Sequence, residues 1–174
     1  MADGVSGTTP APETGAATGA DVDPQLISDR ASQSMMVEDR AARALGIKLV
    51  EISPGRAVMR MVVRRTMLNG HDMGHGGMTF TLADTTFGCA CNSFNQNAVA
   101  QSAQIAFLRP TREGDVLTAT ATATAFSGRT GIFDVLVTNQ RGEKIATFRG
   151  QSQTIKGQHV PDLPVLPLTE TTGQ

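Results

Sequence analysis

The chain has little cysteine, no long apolar run and almost no net charge, and each shortage excludes a class of protein. Its 174 residues include two cysteines, Cys89 and Cys91. Two positions apart on a helix they point to nearly opposite sides, so they can neither bridge each other nor chelate a metal together. Small buried thiols of this kind suit a reducing compartment. No apolar run is long enough for a bilayer, and the first residues have neither a basic nor an apolar stretch of the kind that directs export, so a cytoplasmic location is expected. A formal net charge of −1 argues against nucleic acid as a principal partner. The three histidines, His71, His75 and His159, have no ligand-like spacing with the cysteines, and no metal is expected.

Large hydrophobes are also scarce at both ends. Residues 1–24 are mostly Ala, Gly, Thr, Pro and Asp, a composition that cannot bury enough surface to offset ordering entropy, so a disordered tail is expected there. Pro161, Pro164 and Pro167 interrupt residues 158–174, which read as a tail, either an extended strap or a loose end. One domain, residues 25–157, lies between.

What the chain does have is concentrated in Asn69 to Ser93, NGHDMGHGGMTFTLADTTFGCACNS. From Gly74 to Leu108 the only charged residue is Asp84. An isolated carboxylate in an apolar segment is costly to bury, which marks it for chemistry, although buried structural carboxylates also occur. Met78, Phe80, Leu82, Ala83, Phe87, Cys89, Ala90, Cys91 and Phe94 make the segment apolar around most of a helix, the pattern of a buried one. Its start, His75-Gly76-Gly77, leaves backbone N–H groups open to a ligand oxygen at the favourable end of the helix dipole, as an oxyanion hole requires, and also suits a tight turn.

Around that helix the pattern predicts a sheet. A first helix is expected from about Pro24 to Leu45, closed by Gly46. Strands at Ile47–Ile52 and Arg56–Arg64 precede the central helix, and strands at Ala98–Leu108, Val116–Phe126, Gly131–Asn139 and Lys144–Ile155 follow it. Val116 to Ala125 reads VLTATATATA, with Leu117 and four alanines on one face, small enough for a helix to approach closely. This order is α+β, not alternating βαβ.

The spacing Asn-x5-His-Gly-Gly-x6-Asp, with Leu-Ala before the aspartate, resembles hotdog-fold acyl-CoA thioesterases of the phenylacetate-degradation type. The likeness continues through Phe107-Leu108-Arg109-Pro110, Gly114-Asp115, Gly128-Arg129-Thr130-Gly131 and Phe148-Arg149-Gly150. It implies a hotdog fold, an antiparallel sheet curled around a long central helix, and hydrolysis of an acyl-CoA to free CoA and a carboxylic acid. Asp84 would act as general base or nucleophile and the Gly76 N–H would polarise the carbonyl, with Asn69, His75 and Thr85 assisting. His75 equally suits a helix-entry role and Asn69 a turn with Gly70. Gly77, Phe87, Arg109, Arg129 and Gly131 are the candidate substrate contacts, the arginines for CoA phosphates. CoA is then part of the substrate, and no cofactor is expected. Phe87, Phe94, Phe107 and the first helix suggest an aromatic acyl group, though core packing explains the same rings. A non-catalytic acyl-CoA-binding regulator on this fold would need a DNA-binding module, which the acidic N-terminus lacks, and a 3-hydroxyacyl thioester dehydratase would use a histidine in another arrangement.

Assembly follows from helix geometry. Gly76 and Asp84 are eight positions apart, roughly 12 Å along an axis. One carbonyl cannot meet both, so a two-fold homodimer with antiparallel central helices and mixed sites is expected, with a dimer of such dimers allowed by the resemblance.

Overall fold

Turns that need left-handed backbone divide this chain into hairpins. In the computed structural model, which describes residues 22 to 168, Gly55, Gly128 and Gly142 have φ of 75°, 57° and 78°, a region a Cβ disfavours. The elements run α1 (Pro24–Glu38), α2 (Arg40–Leu45), β1 (Lys48–Ser53), β2 (Arg56–Val62), α3 (Gly76–Asn92), β3 (Gln96–Phe107), β4 (Val116–Ser127), β5 (Thr130–Thr138) and β6 (Lys144–Gln158). The strands form one antiparallel sheet in the order β1-β2-β4-β5-β6-β3. This is the expected α+β hotdog arrangement. Between β2 and β3 the chain crosses the whole inner face of the sheet as α3, which leaves β3 as a free edge. No helix among the described residues is long and apolar enough to cross a membrane.

The alternation in β4 works as expected at its start: Leu117, Ala119, Ala121 and Ala123 are buried. Ala125 departs from it and is exposed, because the pairing with β5 slips between Ala123 and Ala125. That bulge turns Phe126 inward instead, onto Phe94 and Phe133 at ring separations of 5.6 and 5.7 Å. Phe87 joins the cluster from α3, 5.6 Å from Phe133. Each such ring, once buried, contributes about 1.5–3 kcal/mol. The ion pairs on the outer face, such as Arg149–Asp134, are exposed and water-screened, so the rings rather than the charges hold α3 to the sheet.

Two expectations need correction. The first helix is not continuous: Asp39 adopts φ −75°, ψ 93°, and its carboxylate accepts from the Ala42 N–H at 2.8 Å. It ends α1 and starts α2 as an N-cap, an alternative the side chain offers its own backbone without any Pro or Gly to announce it. Gly46 does close α2, at φ 71°. The second correction concerns α3, which is not buried all round. Gly77, Phe80, Thr81, Asp84 and Gly88, one face at helical spacing, lie open or half-open beside the free edge of β3.

The expected tail at residues 1–24 lies almost wholly outside the described residues. At the other end, residues 159 to 168 strap back over the C-terminus of α3. Asn95, fully buried at φ 65°, donates to the carbonyls of Val160, Leu163 and Pro164 at 3.0–3.2 Å and accepts from the Val160 N–H at 2.9 Å.

Candidate active site

His75 precedes α3 in extended backbone (φ −62°, ψ 131°), and its Nδ1 accepts from the Gly77 N–H at 2.9 Å. Capping therefore occupies the acceptor nitrogen of the neutral ring, which places the proton on Nε2. It also satisfies Gly77, so of the two glycines Gly76 alone retains an N–H with no acceptor among the described residues. Gly76 lines a cavity of about 340 Å³ with Asn69, Met73, Phe107, Arg109 and Thr111 among its walls. The Phe107 ring, 54% exposed, lies against Gly76, where a Cβ would meet it at 3.0–3.4 Å.

Asn69 serves the turn role suggested for it. Its Oδ1 accepts from the His71 and Met73 N–H groups at 2.9 and 3.3 Å, fixing the loop before the helix. Since both partners are donors, the amide orientation is chemically determined, and its NH₂ has no acceptor among the described residues.

Asp84 lies two turns along and opens into a different cavity, of about 200 Å³, with Met35, Asp39, Thr85, Phe87, Gly88, Cys91, Asn92, Ala98 and Ala100. No donor among the described residues hydrogen-bonds its carboxylate, and Thr85 likewise offers an unengaged hydroxyl beside it. Burial, and after it the nearby charge of Asp39, push the Asp84 pKa above the ordinary carboxylate value. Burial also pushes Cys89 and Cys91 up to about 12, so both remain thiols and neither is the nucleophile at neutral pH.

The site residues thus fall into two groups. Asn69, His75, Gly76 and Arg109 gather at the start of α3, while Asp84, Thr85 and Phe87 gather at its middle. Arg109 donates to the Lys144 carbonyl at 3.1 Å, at the rim of the Gly76 cavity. Arg129 sits in the exposed turn at the opposite end of β5. Gly131 is not open to a ligand: a Cβ there would lie 2.8–3.0 Å from Phe133, Ser152 and Phe126, so its role is packing. Phe87 is a core ring whose edge forms one wall of the Asp84 cavity, pressed so closely on Gly150 that a Cβ would meet it at 2.8–2.9 Å.

Of the residues lining the Asp84 cavity, sequence reasoning singled out Asp84, Thr85 and Phe87 and missed the others, among them Met35, Asp39 and Asn92. Asn92 donates to the Gly88 and Ala98 carbonyls, and its Oδ1 accepts from the Ala98 N–H at 2.8 Å and faces His159 Nε2 at 2.7 Å. It ties the end of α3 to β3 and to the strap. Asp39 carried a readable signal, an aspartate just before the helix-forming run RAARAL.

Residues 72–146 match the thioesterase superfamily. The chain is 45% identical over 126 residues to the acyl-coenzyme A thioesterase PaaI of Escherichia coli, covering 72% of this chain and 90% of that protein. It superposes with a TM-score of 0.77 on the structure of the E. coli PaaI protein from the phenylacetic acid degradation operon, at 42% identity and covering 78% of this chain and 99% of that one. A hypothetical thioesterase of Streptococcus pneumoniae solved with coenzyme A is similar at a TM-score of 0.64 and 27% identity, covering 68% of this chain and 92% of that one.

Proposed function

The chain belongs to the thioesterase superfamily and is an acyl-CoA thioesterase of the PaaI type, and from that premise we propose that it hydrolyses aromatic acyl-CoA thioesters, phenylacetyl or hydroxyphenylacetyl, at sites shared between two copies. One observation carries the reading: the Gly76 N–H and the Asp84 carboxylate, both without partners among the described residues, open into two separate cavities on one helix. A thioester carbon within about 3 Å of both an oxyanion donor and an attacking oxygen needs them together. An antiparallel second α3 laid along the open strip of Gly77, Thr81, Asp84 and Gly88 brings the partner's Asp84 to Gly76. The space for it is bounded by Ala98, Ala100 and Ala103 on the inner face of β3, all small and half-open or exposed. The same two-fold rotation carries the partner's Arg129 toward the Gly76 and Arg109 end, where two arginines suit the CoA phosphates. Pairs of such dimers make a tetramer.

In that site the Gly76 N–H holds the thioester oxygen as negative charge develops on it, and His75 fixes the first turn that aims it. Asp84 supplies the basic oxygen, taking a proton from the attacking water or attacking the carbon itself; the geometry serves both routes. Its lack of local donors leaves the carboxylate basic. The acyl group enters the Asp84 cavity, against Met35, Phe87, Gly88 and Cys91. At about 200 Å³ the cavity has room for one aromatic ring.

The test is thiol release by the purified protein from short, aromatic and long acyl-CoAs. Phenylacetyl-type substrates should have the highest kcat/KM, and Asp84→Asn should lower turnover by about 10²- to 10⁴-fold while retaining acyl-CoA binding. Near-normal turnover by Asp84→Asn would refute the mechanism, and a preference for long chains would refute the substrate class.

A further inference from the structure

The break between α1 and α2 places a second carboxylate in the wall of the Asp84 cavity. The Asp39 carboxylate spends one oxygen on the Ala42 N–H at 2.8 Å, which fixes its position, and makes no other hydrogen bond or ion pair among the described residues. It shares the cavity with Asp84, and none of the ion pairs among the described residues involves either carboxylate. The other surroundings of Asp84 are uncharged. β3 contributes Ala98 and Ala100, and the buried residues of β1, β2, β4, β5 and β6 include no Asp, Glu, Lys or Arg. Along α3 itself Cys89 and Cys91 stay protonated up to about 12. From the strap His159 reaches Asn92, and burial lowers its pKa, which favours the neutral ring near neutral pH.

Resting on the reading of Asp84 as base or nucleophile, we propose that Asp39 is a positioning residue for thioester hydrolysis, a capped and immobile negative charge that makes Asp84 a stronger base than its burial alone would. A carboxylate held in the same cavity, with no countercharge beside it in its own chain, opposes ionisation of Asp84. The direction found for Asp84, with burial first and Asp39 second, agrees with this. The fixed cap matters because a free surface carboxylate would swing into water, where its charge would be screened.

The experiment separates the charge of Asp39 from its structural duty. Asp39→Asn and Asp39→Ser each keep a side-chain oxygen to cap α2 and remove the charge. The pH profile of kcat/KM is measured on the full-length protein for the wild type, both variants and Asp84→Asn. The acid limb should move to lower pH in both Asp39 variants, because Asp84 loses its proton more easily once the neighbouring charge is gone, and kcat on the plateau should fall modestly as the base weakens. Added salt should shift the wild-type limb the same way and the variants less. Well-folded variants with an unmoved limb would overturn the proposal while leaving Asp84 in place if Asp84→Asn is inactive. An active Asp84→Asn protein would instead remove the reading on which the proposal rests. Loss of fold in both Asp39 variants would also overturn it, since the charge would then be structural.

Discussion

Shared sites can be tested by pairing two inactive chains. In one chain Gly76 is replaced by Val. Gly76 is not in left-handed backbone, and the nearest atoms a Cβ meets are those of the exposed Phe107 ring, so the fold should tolerate the change while the N–H is blocked from substrate. The other chain carries Asp84→Ala. Refolded together at equal amounts, about half the two-fold dimers are mixed, and each mixed dimer has one doubly damaged site and one intact site. Restored activity should be about a quarter of the wild type, measured as thiol release from phenylacetyl-CoA with subunit exchange verified by mass spectrometry. The fraction of intact sites is the product of the two chain fractions. A three-to-one mixture should therefore give about three-quarters of the equal-mixture value, a dependence that contamination by wild-type protein would not reproduce. No recovery from verified heterodimers of folded chains would refute the shared site and require Asp84 to act within its own chain.

Two further outcomes follow from the helix and its carboxylate. His75→Ala should destabilise the protein by about 1 kcal/mol through loss of the cap on the Gly77 N–H and lower kcat, while His75→Asn, which keeps an acceptor, should recover most of both; equal inactivation by the two substitutions would instead make the imidazole a base. Asp84 has a folded pKa raised above its unfolded one, so its favourable contribution is present below the unfolded value and is lost as pH rises through the folded value. Asp84→Asn should thus melt higher than the wild type near neutral pH, with the difference disappearing in acid, at matched protein concentration in a thermal melt; a lower melting temperature at neutral pH would contradict the burial of this charge.

The parts of this structure that were legible in sequence are those set by local periodicity. The VLTATATATA stretch fixes β4 and its inner face, the turn glycines fix the hairpins, and the charge-free run around Asp84 fixes α3. Gly76, His75 and Asn69 were legible as a group because one short segment carries them. What escaped notice depends on partners far along the chain. Asp39 lies well upstream of Asp84, and only the packing of α1 on α3 brings it to the cavity. The bulge that exposes Ala125 is a property of pairing with β5, invisible in an alternation that continues unbroken through it. Gly131 looked like a loop residue near a phosphate-binding arginine, yet its hydrogen makes room for Phe133 and Phe126. The docking of the strap rests on the side chain of Asn95, which in sequence is one of several asparagines.

The absence of charge from Gly74 to Leu108, Asp84 apart, covers two elements for two reasons. Over α3 it reflects burial against the sheet. Over β3 it cannot, because most of that strand is exposed on both faces and, among the described residues, one side of its backbone is unpaired. A free edge of 12 residues without Lys, Glu, Asp or Pro has none of the side chains by which single-chain sheets discourage edge pairing, and its register shifts against β6, between Gln96 and Ala98 and between Ala100 and Ser102, do not shorten it. Such an edge is stable in solution when another strand covers it, and β3 of a second copy, related by a two-fold axis, is the self-complementary choice. In the dimer proposed above, that axis would also lay the partner's α3 beside the open strip. The same rotation would then remove the liability of the edge, bury the exposed alanines of β3 and join each Gly76 to the other chain's Asp84. In that proposal folding physics and catalytic geometry ask for the same neighbour.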